Sequence, residues 1–131
     1  MHNRVRMIVG SFLVKHLLID WKEGEKHFRN CLLDFSEANN ISGWQWVSGS
    51  GADAAPYFRI FNPILQGEKF DREGIYVKKW VPEIKNLPKK YLHKPWEYKD
   101  SKDFIIGKDY PAPIVKHEEA RSLALLAFKK L

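Results

Sequence analysis

The sequence has little of what supports a disulfide scaffold, a metal centre or a membrane span. Its single cysteine, Cys31, excludes an internal disulfide and leaves no pair of thiols to hold zinc or an iron–sulfur cluster. The apolar run from Met7 to Val14 ends at Lys15 and is too short to cross a bilayer. We therefore expect a cytoplasmic protein that binds no metal and does not enter a membrane.

Common signatures of catalysis are missing as well. The sequence contains no Gly-x4-Gly-Lys loop for a phosphate and no Gly-x-Ser-x-Gly turn around a nucleophile. Gly49, Gly51 and Ala54 spell the dinucleotide pattern G-x-G-x-x-A, but they follow a predicted helix and lead into Pro56, where a strand and then a helix are required. No two histidines are spaced by three or four residues, the spacing that favours a metal site on a helix.

Basic and aromatic residues are plentiful. The chain has 22 lysines and arginines against 16 acidic residues, a formal charge of +6 that favours an acidic partner such as nucleic acid. Five tryptophans, five tyrosines and eight phenylalanines exceed what a small core needs. Flat rings of this kind stack on other flat groups.

The apolar spacing predicts an all-α fold with long ordered loops. We expect a first helix over about residues 3–19, apolar on nearly every side, and a second over 21–33 capped by Asp20, whose charged residues face solvent. Ser36 is predicted to cap a third helix that Gly49 and Gly51 end. A helix that is apolar all round needs cover on every face, which suggests that the chain was cut from something larger.

The second half of the chain is predicted to be less regular. Pro56, Pro63 and Gly67 favour a long ordered loop over residues 52–71, followed by a short helix over 73–80. The proline-punctuated stretch that follows is predicted to be irregular surface chain. A final helix is expected over residues 117–131, because acidic residues occupy its first turn and lysines its last.

The most informative segment runs from Asp34 to Trp46. On a helix, Asn40 and Trp44 lie one turn apart on one face, whereas Trp46 points roughly the other way. One face could then meet a cofactor and the other a substrate. The alternative is that both tryptophans belong to the core and that the neighbouring asparagines cap or turn the chain, and the spacing leaves both interpretations open.

Three stretches resemble the C-terminal part of the photolyase and cryptochrome family: "MHNRVRMIVGSFLVKHLLIDWKEGEKHF", "ANNISGWQWVSGSGADAAPYFRIFNPILQGEKFD" and "YVKKWVPEI". The resemblance runs from residue 1 to about residue 120. It implies an all-helical domain that binds FAD in a folded, U-shaped form. In this family the excited reduced flavin passes an electron to a cyclobutane pyrimidine dimer flipped out of the duplex, the ring splits, and the electron returns.

The resemblance also implies a flavin side of the site. Asn40 matches the residue that faces flavin N5, where plant and animal cryptochromes tend to carry Asp and Cys, so it favours repair over signalling. Arg6 and Asp34 match an ion pair against the flavin ring, and Ser36 replaces a carboxylate of many members, which affects how FAD is held. Phe35 is included among the cofactor-binding residues, and an electron relay is assigned to Trp44 and Trp21.

A substrate side is implied for UV-damaged DNA containing pyrimidine dimers. The residues matched to dimer or phosphate contacts are Asn3, Arg4, Met7, Trp46, Arg59 and Gln66. Contacts to phosphate position the duplex without reading its sequence.

Other parts of the family pattern correspond to positions before Met1. They are the antenna domain with a chromophore such as a folate or deazaflavin, the loop that binds the flavin diphosphate, and a third relay tryptophan. We therefore expect residues 1–131 to be a partial FAD-binding domain of a monomeric dimer-splitting lyase. The alternatives are a cryptochrome-like photoreceptor and an inactive remnant that binds no flavin.

Overall fold

The computed structural model describes residues 1–50, 60–99 and 102–130, and within these ranges the chain is helical without β-strands. The predicted all-α fold is therefore confirmed. The chain divides into two compact units, each described here by itself. The first unit comprises Met1–Phe61 with Val115–Leu131, and the second comprises Asn62–Ile114.

Four α-helices form the first unit: α1 (Asn3–Ser11), α2 (Trp21–Cys31), α3 (Glu37–Ser48) and α6 (His117–Lys129). Directly after α1, the segment Phe12–His16 continues as a π-helical turn. The first helix is therefore shorter than predicted. Leu18 adopts a left-handed conformation with φ of 53°, which a helix cannot continue through.

The ends of α2 and α3 test the predicted caps. The Asp20 carboxylate accepts a hydrogen bond from the Lys22 backbone N–H at 2.9 Å, as predicted. Ser36 occupies the predicted N-cap position of α3, but its side chain makes no capping hydrogen bond. The predicted position is therefore correct, and the predicted capping bond is not. Gly49 ends α3 with φ of 76°, a conformation that favours glycine, whereas Gly51 lies outside the described residues.

The core of the first unit brings together α2, α3 and the π-helical turn. Its buried members are Val14, Phe28, Trp44 and Val47. Phe128 of α6 packs against this cluster from the C-terminal end of the chain. Within the described residues the first helix is not covered on every side, because Val9 stays 36% exposed.

The second unit contains α4 (Pro63–Phe70) and α5 (Ile75–Trp80), followed by three short 3-10 turns at Pro82–Ile84, Lys89–Tyr91 and Pro95–Glu97. The predicted loop over residues 52–71 is wrong from Pro63 onward. Proline fits the first position of a helix, and the Asn62 side chain accepts hydrogen bonds from the backbone N–H groups of Ile64 and Leu65. Most of the remaining loop, up to residue 59, lies outside the described residues.

The proline-punctuated stretch forms a core of its own. Its buried side chains are Ile84, Leu87, Leu92 and Phe104. The prediction of irregular backbone holds, but the prediction of surface chain is wrong, because apolar side chains between the turns point inward. Within the described ranges, none of the helices is long and apolar enough to cross a bilayer.

Replacing Leu92 by alanine tests this second core. Leu92 is 1% exposed, and deleting a buried leucine side chain costs about 2–5 kcal/mol of unfolding free energy. Leu65→Ala is the matched control, because Leu65 is 58% exposed in the same unit. Denaturant unfolding should therefore separate the two variants, and equal effects would contradict the assignment of Leu92 to a core.

Candidate functional site

A cavity of about 390 Å³ opens in the first unit. Its wall is built from α1, α3, the second half of α2 and the segment that joins α2 to α3. Eight residues that the sequence singled out lie on this wall: Asn3, Arg6, Met7, Asp34, Ser36, Asn40, Trp44 and Trp46. Among the described residues, the wall does not include Arg4, Trp21 or Phe35.

An ion pair lies on the cavity wall. The Arg6 Nη2 atom is 2.8 Å from Asp34 Oδ1 and 2.7 Å from Oδ2, and Arg6 Nε donates to the Met1 backbone oxygen at 2.9 Å. The hydrogen bond from Arg6 lowers the pKa of Asp34 below the ordinary value of an aspartate. Asp34 is therefore ionised at neutral pH, and the guanidinium is held in one orientation.

The side chain of Asn40 is fixed from behind the wall. Asn40 is buried in the first turn of α3, and its Nδ2 atom donates to the Glu25 backbone oxygen at 3.0 Å and to Glu25 Oε1 at 3.3 Å. Both amide hydrogens are used by these two acceptors. The amide oxygen is consequently the atom that Asn40 offers to the cavity.

Glu25 holds Asn40 from behind the cavity wall, and the sequence prediction placed it wrongly. The predicted solvent face of α2 included Glu25, but its side chain is 7% exposed. Arg29, one turn later, donates to both carboxylate oxygens at 2.7 and 2.6 Å, which compensates the buried charge. The Glu–Arg spacing of four residues was the available signal, but it is equally typical of surface pairs.

Trp44 lies against the backbone of α2. Its ring packs edge-on to Phe28, with centroids 5.1 Å apart, and it is 4% exposed. A Cβ atom at Gly24 would overlap the six-membered ring of Trp44, so glycine is what allows this approach. Trp21, one turn before Gly24 on α2, packs against the same apolar cluster, which places both predicted relay residues in one core.

The predicted substrate side is partly assembled on the cavity wall. Asn3 and Met7, one helical turn apart on α1, are in contact, with Asn3 Nδ2 at 3.7 Å from the Met7 sulfur. Trp44 and Trp46 both line the cavity, although the sequence directed them to different faces of α3. Both faces of α3 therefore border the same cavity.

The remaining predicted site residues lie elsewhere. Arg4 is on α1 away from the cavity, Gln66 is on α4 in the second unit, and Arg59 lies outside the described residues. The sequence prediction also missed several members of the cavity wall, which are Gly10, Phe28, Leu32, Asn39, Gly43 and Val47. These small, apolar or amide residues carry no distinctive signal before their neighbours are known.

Comparison with known proteins gives a consistent result. Residues 1–130 match the family described as the FAD binding domain of DNA photolyase. The deoxyribodipyrimidine photo-lyase of Agrobacterium fabrum is 60% identical over 98% of this chain and 28% of its own length. The chain thus spans little more than a quarter of the relative that it matches.

Solved structures agree with the sequence match. A bacterial class III photolyase from Agrobacterium tumefaciens superposes with a TM-score of 0.93 at 59% identity, over 99% of this chain and 28% of that chain. A cryptochrome from Synechocystis superposes with a TM-score of 0.87 at 38% identity, over 95% of this chain and 26% of its own.

Adding a methyl group at Gly24 should displace Trp44. We expect Gly24→Ala to lower the free energy of unfolding by about 1–3 kcal/mol, as overpacking does, and to shift the tryptophan fluorescence. Gly43→Ala is the control, because a Cβ atom there meets nothing within 4 Å. An undisturbed Trp44 signal in Gly24→Ala would show that the ring does not depend on this approach.

The ion pair between Arg6 and Asp34 should make the stability of the fold depend on pH. Because the folded-state pKa of Asp34 is lowered, its contribution to stability is present above the ordinary aspartate pKa and is lost as the pH falls below about 4. Denaturant unfolding should place Asp34→Asn below the wild type at pH 7, with a gap that closes in acid. The same substitution in an Arg6→Met background should show no such gap, and an unchanged gap there would contradict the pairing.

Proposed function

This chain belongs to the DNA photolyase family, matching its FAD-binding domain, and we propose that its cavity is part of the flavin site of a light-driven enzyme that splits pyrimidine dimers in DNA. One observation carries the proposal. An amide with fixed orientation, an arginine–aspartate pair and a buried tryptophan converge on a single cavity. These groups suit a flat ring that is apolar on its faces and polar at its edge.

The chemistry of the cavity wall suits a flavin. Phe28, Trp44 and Val47 supply apolar surface, whereas the polar groups stand on the α1 side and at the start of α3. FAD, when bound, supplies the light-excited reduced ring that gives an electron to the dimer. The chain itself supplies binding, orientation and charge.

Each polar group has a distinct task in this proposal. The Arg6 guanidinium offsets negative charge on the ring while its bond to Asp34 keeps it in place. Asn40 accepts a hydrogen bond from a ring N–H through its oxygen, and a neutral amide adds no charge beside an anionic ring. The Ser36 hydroxyl, which caps no backbone group, is a hydrogen-bonding group for the edge of the ring.

The tryptophans serve electron transfer and substrate contact. Trp44 belongs to the apolar cluster against which Trp21 packs, so packed side chains join the two residues that we assign to electron transfer. Asn3, Met7 and Trp46 form the wall that would face an extruded dimer.

Damaged DNA is the proposed partner, and the charge of +6 suits its phosphates. Arg4, Arg59 and Gln66 stay predicted DNA contacts, and Phe35 a predicted flavin contact. A monomeric enzyme that works in the cytoplasm remains our prediction.

A second candidate is a cryptochrome-like photoreceptor, which the similarity to the Synechocystis protein favours. Such a protein would hold flavin and leave dimers unchanged. Asn40 supports repair, because the resemblance associates an amide at this position with photolyases. Flavin binding and dimer reversal must therefore be measured separately.

The test is a chimera in which this chain replaces the aligned segment of the Agrobacterium fabrum relative. We expect a structured flavin absorption band and light-dependent loss of dimers from irradiated DNA. Asn40→Leu should reduce repair about 5- to 150-fold, the range for one lost hydrogen bond of about 1–3 kcal/mol. Asn30→Leu, an exposed asparagine of α2 away from the cavity, should change neither signal.

The outcomes of the chimera experiment separate the candidates. Bound flavin without dimer reversal would replace repair by the photoreceptor function. A chimera that folds but shows no flavin band would contradict a flavin site in this cavity and favour an inactive remnant. The spectrum of the purified 131-residue chain shows in addition whether it holds flavin by itself.

A further inference from the structure

Two histidines far apart in the sequence meet inside the first unit. His16 Nε2, at the end of the π-helical turn, lies 2.8 Å from Nδ1 of His117, the first residue of α6. The His16 side chain is buried, and its ring stacks on Phe12 with centroids 5.0 Å apart. This hydrogen bond requires one nitrogen that carries a hydrogen and one that does not, so at least one ring must be neutral.

The pair has little capacity to accept protons. His16 Nδ1 is buried and makes no hydrogen bond to the described residues, so a charged His16 ring would be poorly solvated, and the nearby Ser11 backbone offsets only part of that cost. If both rings were protonated, two donors and two positive charges would face each other at 2.8 Å. A single proton leaves one ring able to accept, so the bond breaks when acid protonates both rings.

A second contact between the π-helical turn and α6 lies beside this bond. The Lys15 ammonium lies 5.7 Å from the centre of the Phe128 ring of α6, and Lys15 is 1% exposed. Phe128 in turn packs against the cluster that contains Trp44. Both ends of α6 are thus attached to the π-helical turn or to the core beneath it.

We propose that the His16–His117 hydrogen bond holds α6 against the rest of the first unit and that acidification breaks this bond and frees the helix. The proposal stands on contacts within this chain and does not depend on flavin binding. Since Phe128 covers the core around Trp44, release of α6 would expose that core to water.

The charges around the pair fix the direction of the effect. Burial is the main cause that lowers the pKa of His16, followed by the charge of His117, whereas a hydrogen bond to the Ser11 backbone raises it. The pKa of His117 is likewise lowered first by burial and then by the charge of Arg121, whereas Glu118 raises it. Lys15 adds a further positive charge beside His16 in the π-helical turn. Helices α2 and α3 also contact this turn, and the buried acid of α2, Glu25, is engaged by Arg29 and Asn40.

The sign of the pH dependence follows from the lowered pKa values. A histidine whose folded pKa lies below its ordinary value of 6.5 contributes stability that is complete above that pH. The contribution is lost as the pH falls through 6.5 toward the folded pKa. Each such histidine changes the unfolding equilibrium by at most about tenfold per pH unit.

The test compares the wild-type chain with a double variant, His16→Gln with His117→Asn. Glutamine places its side-chain nitrogen near the position of His16 Nε2, and asparagine places its oxygen near that of His117 Nδ1, so a hydrogen bond remains that cannot titrate. Denaturant unfolding between pH 8 and pH 5 should give a smaller loss of stability in the double variant. His27→Gln, which removes an exposed histidine of α2, should behave as the wild type.

A second measurement needs only the wild-type chain. Hydrogen exchange, corrected for intrinsic rates, should show that residues 120–128 of α6 lose at least tenfold in protection between pH 7.5 and pH 5.5, while α3 loses less. Equal losses in α6 and α3 would overturn the proposal, and so would a double variant with the pH dependence of the wild type.

Discussion

The close approach of Trp44 to the backbone of α2 is the contact on which the first unit depends. It is permitted because residue 24 is a glycine, and any side chain there would occupy the space of the indole ring. The approach buries Trp44 beside Phe28 and Val47 and places it in the same cluster as Trp21. One packing constraint therefore joins the core of the unit to the candidate relay and to the wall of the cavity.

The same helix pair also sets the polar chemistry of the cavity. A buried carboxylate, Glu25, is stable because Arg29 pairs with it from the exposed side of α2. The Glu25 backbone carbonyl and Oε1, an oxygen that Arg29 also contacts, both accept from the amide of Asn40, which fixes the orientation of that amide. Asn40, which faces the cavity, is thus held by Glu25 and, through Glu25, by Arg29, although neither of these two lines the cavity. This arrangement preorganises the candidate site.

Prediction from the sequence worked best where the signal was local. Asp20 and Gly49 act as the helix ends that their residue types favour, and α2, α3 and α6 lie close to their predicted positions. Prediction failed where distant residues decide the outcome. Pro63 suggested a loop but begins α4, because Asn62 caps it, and the proline-rich stretch encloses a core that no periodicity reveals.

The sequence by itself determined the helical fold, the family and most of the residues on the cavity wall, because helix periodicity and long motifs are properties of neighbouring positions. Only the tertiary structure decided which side chains those residues meet. The sequence predicted Glu25 to be a surface charge and carried no sign of a partner for His16, whereas in the fold Asn40 donates to Glu25 and His117 lies against His16. The physical reason is that burial and hydrogen bonding depend on residues distant in the chain, and these set the charge, orientation and pKa on which function depends.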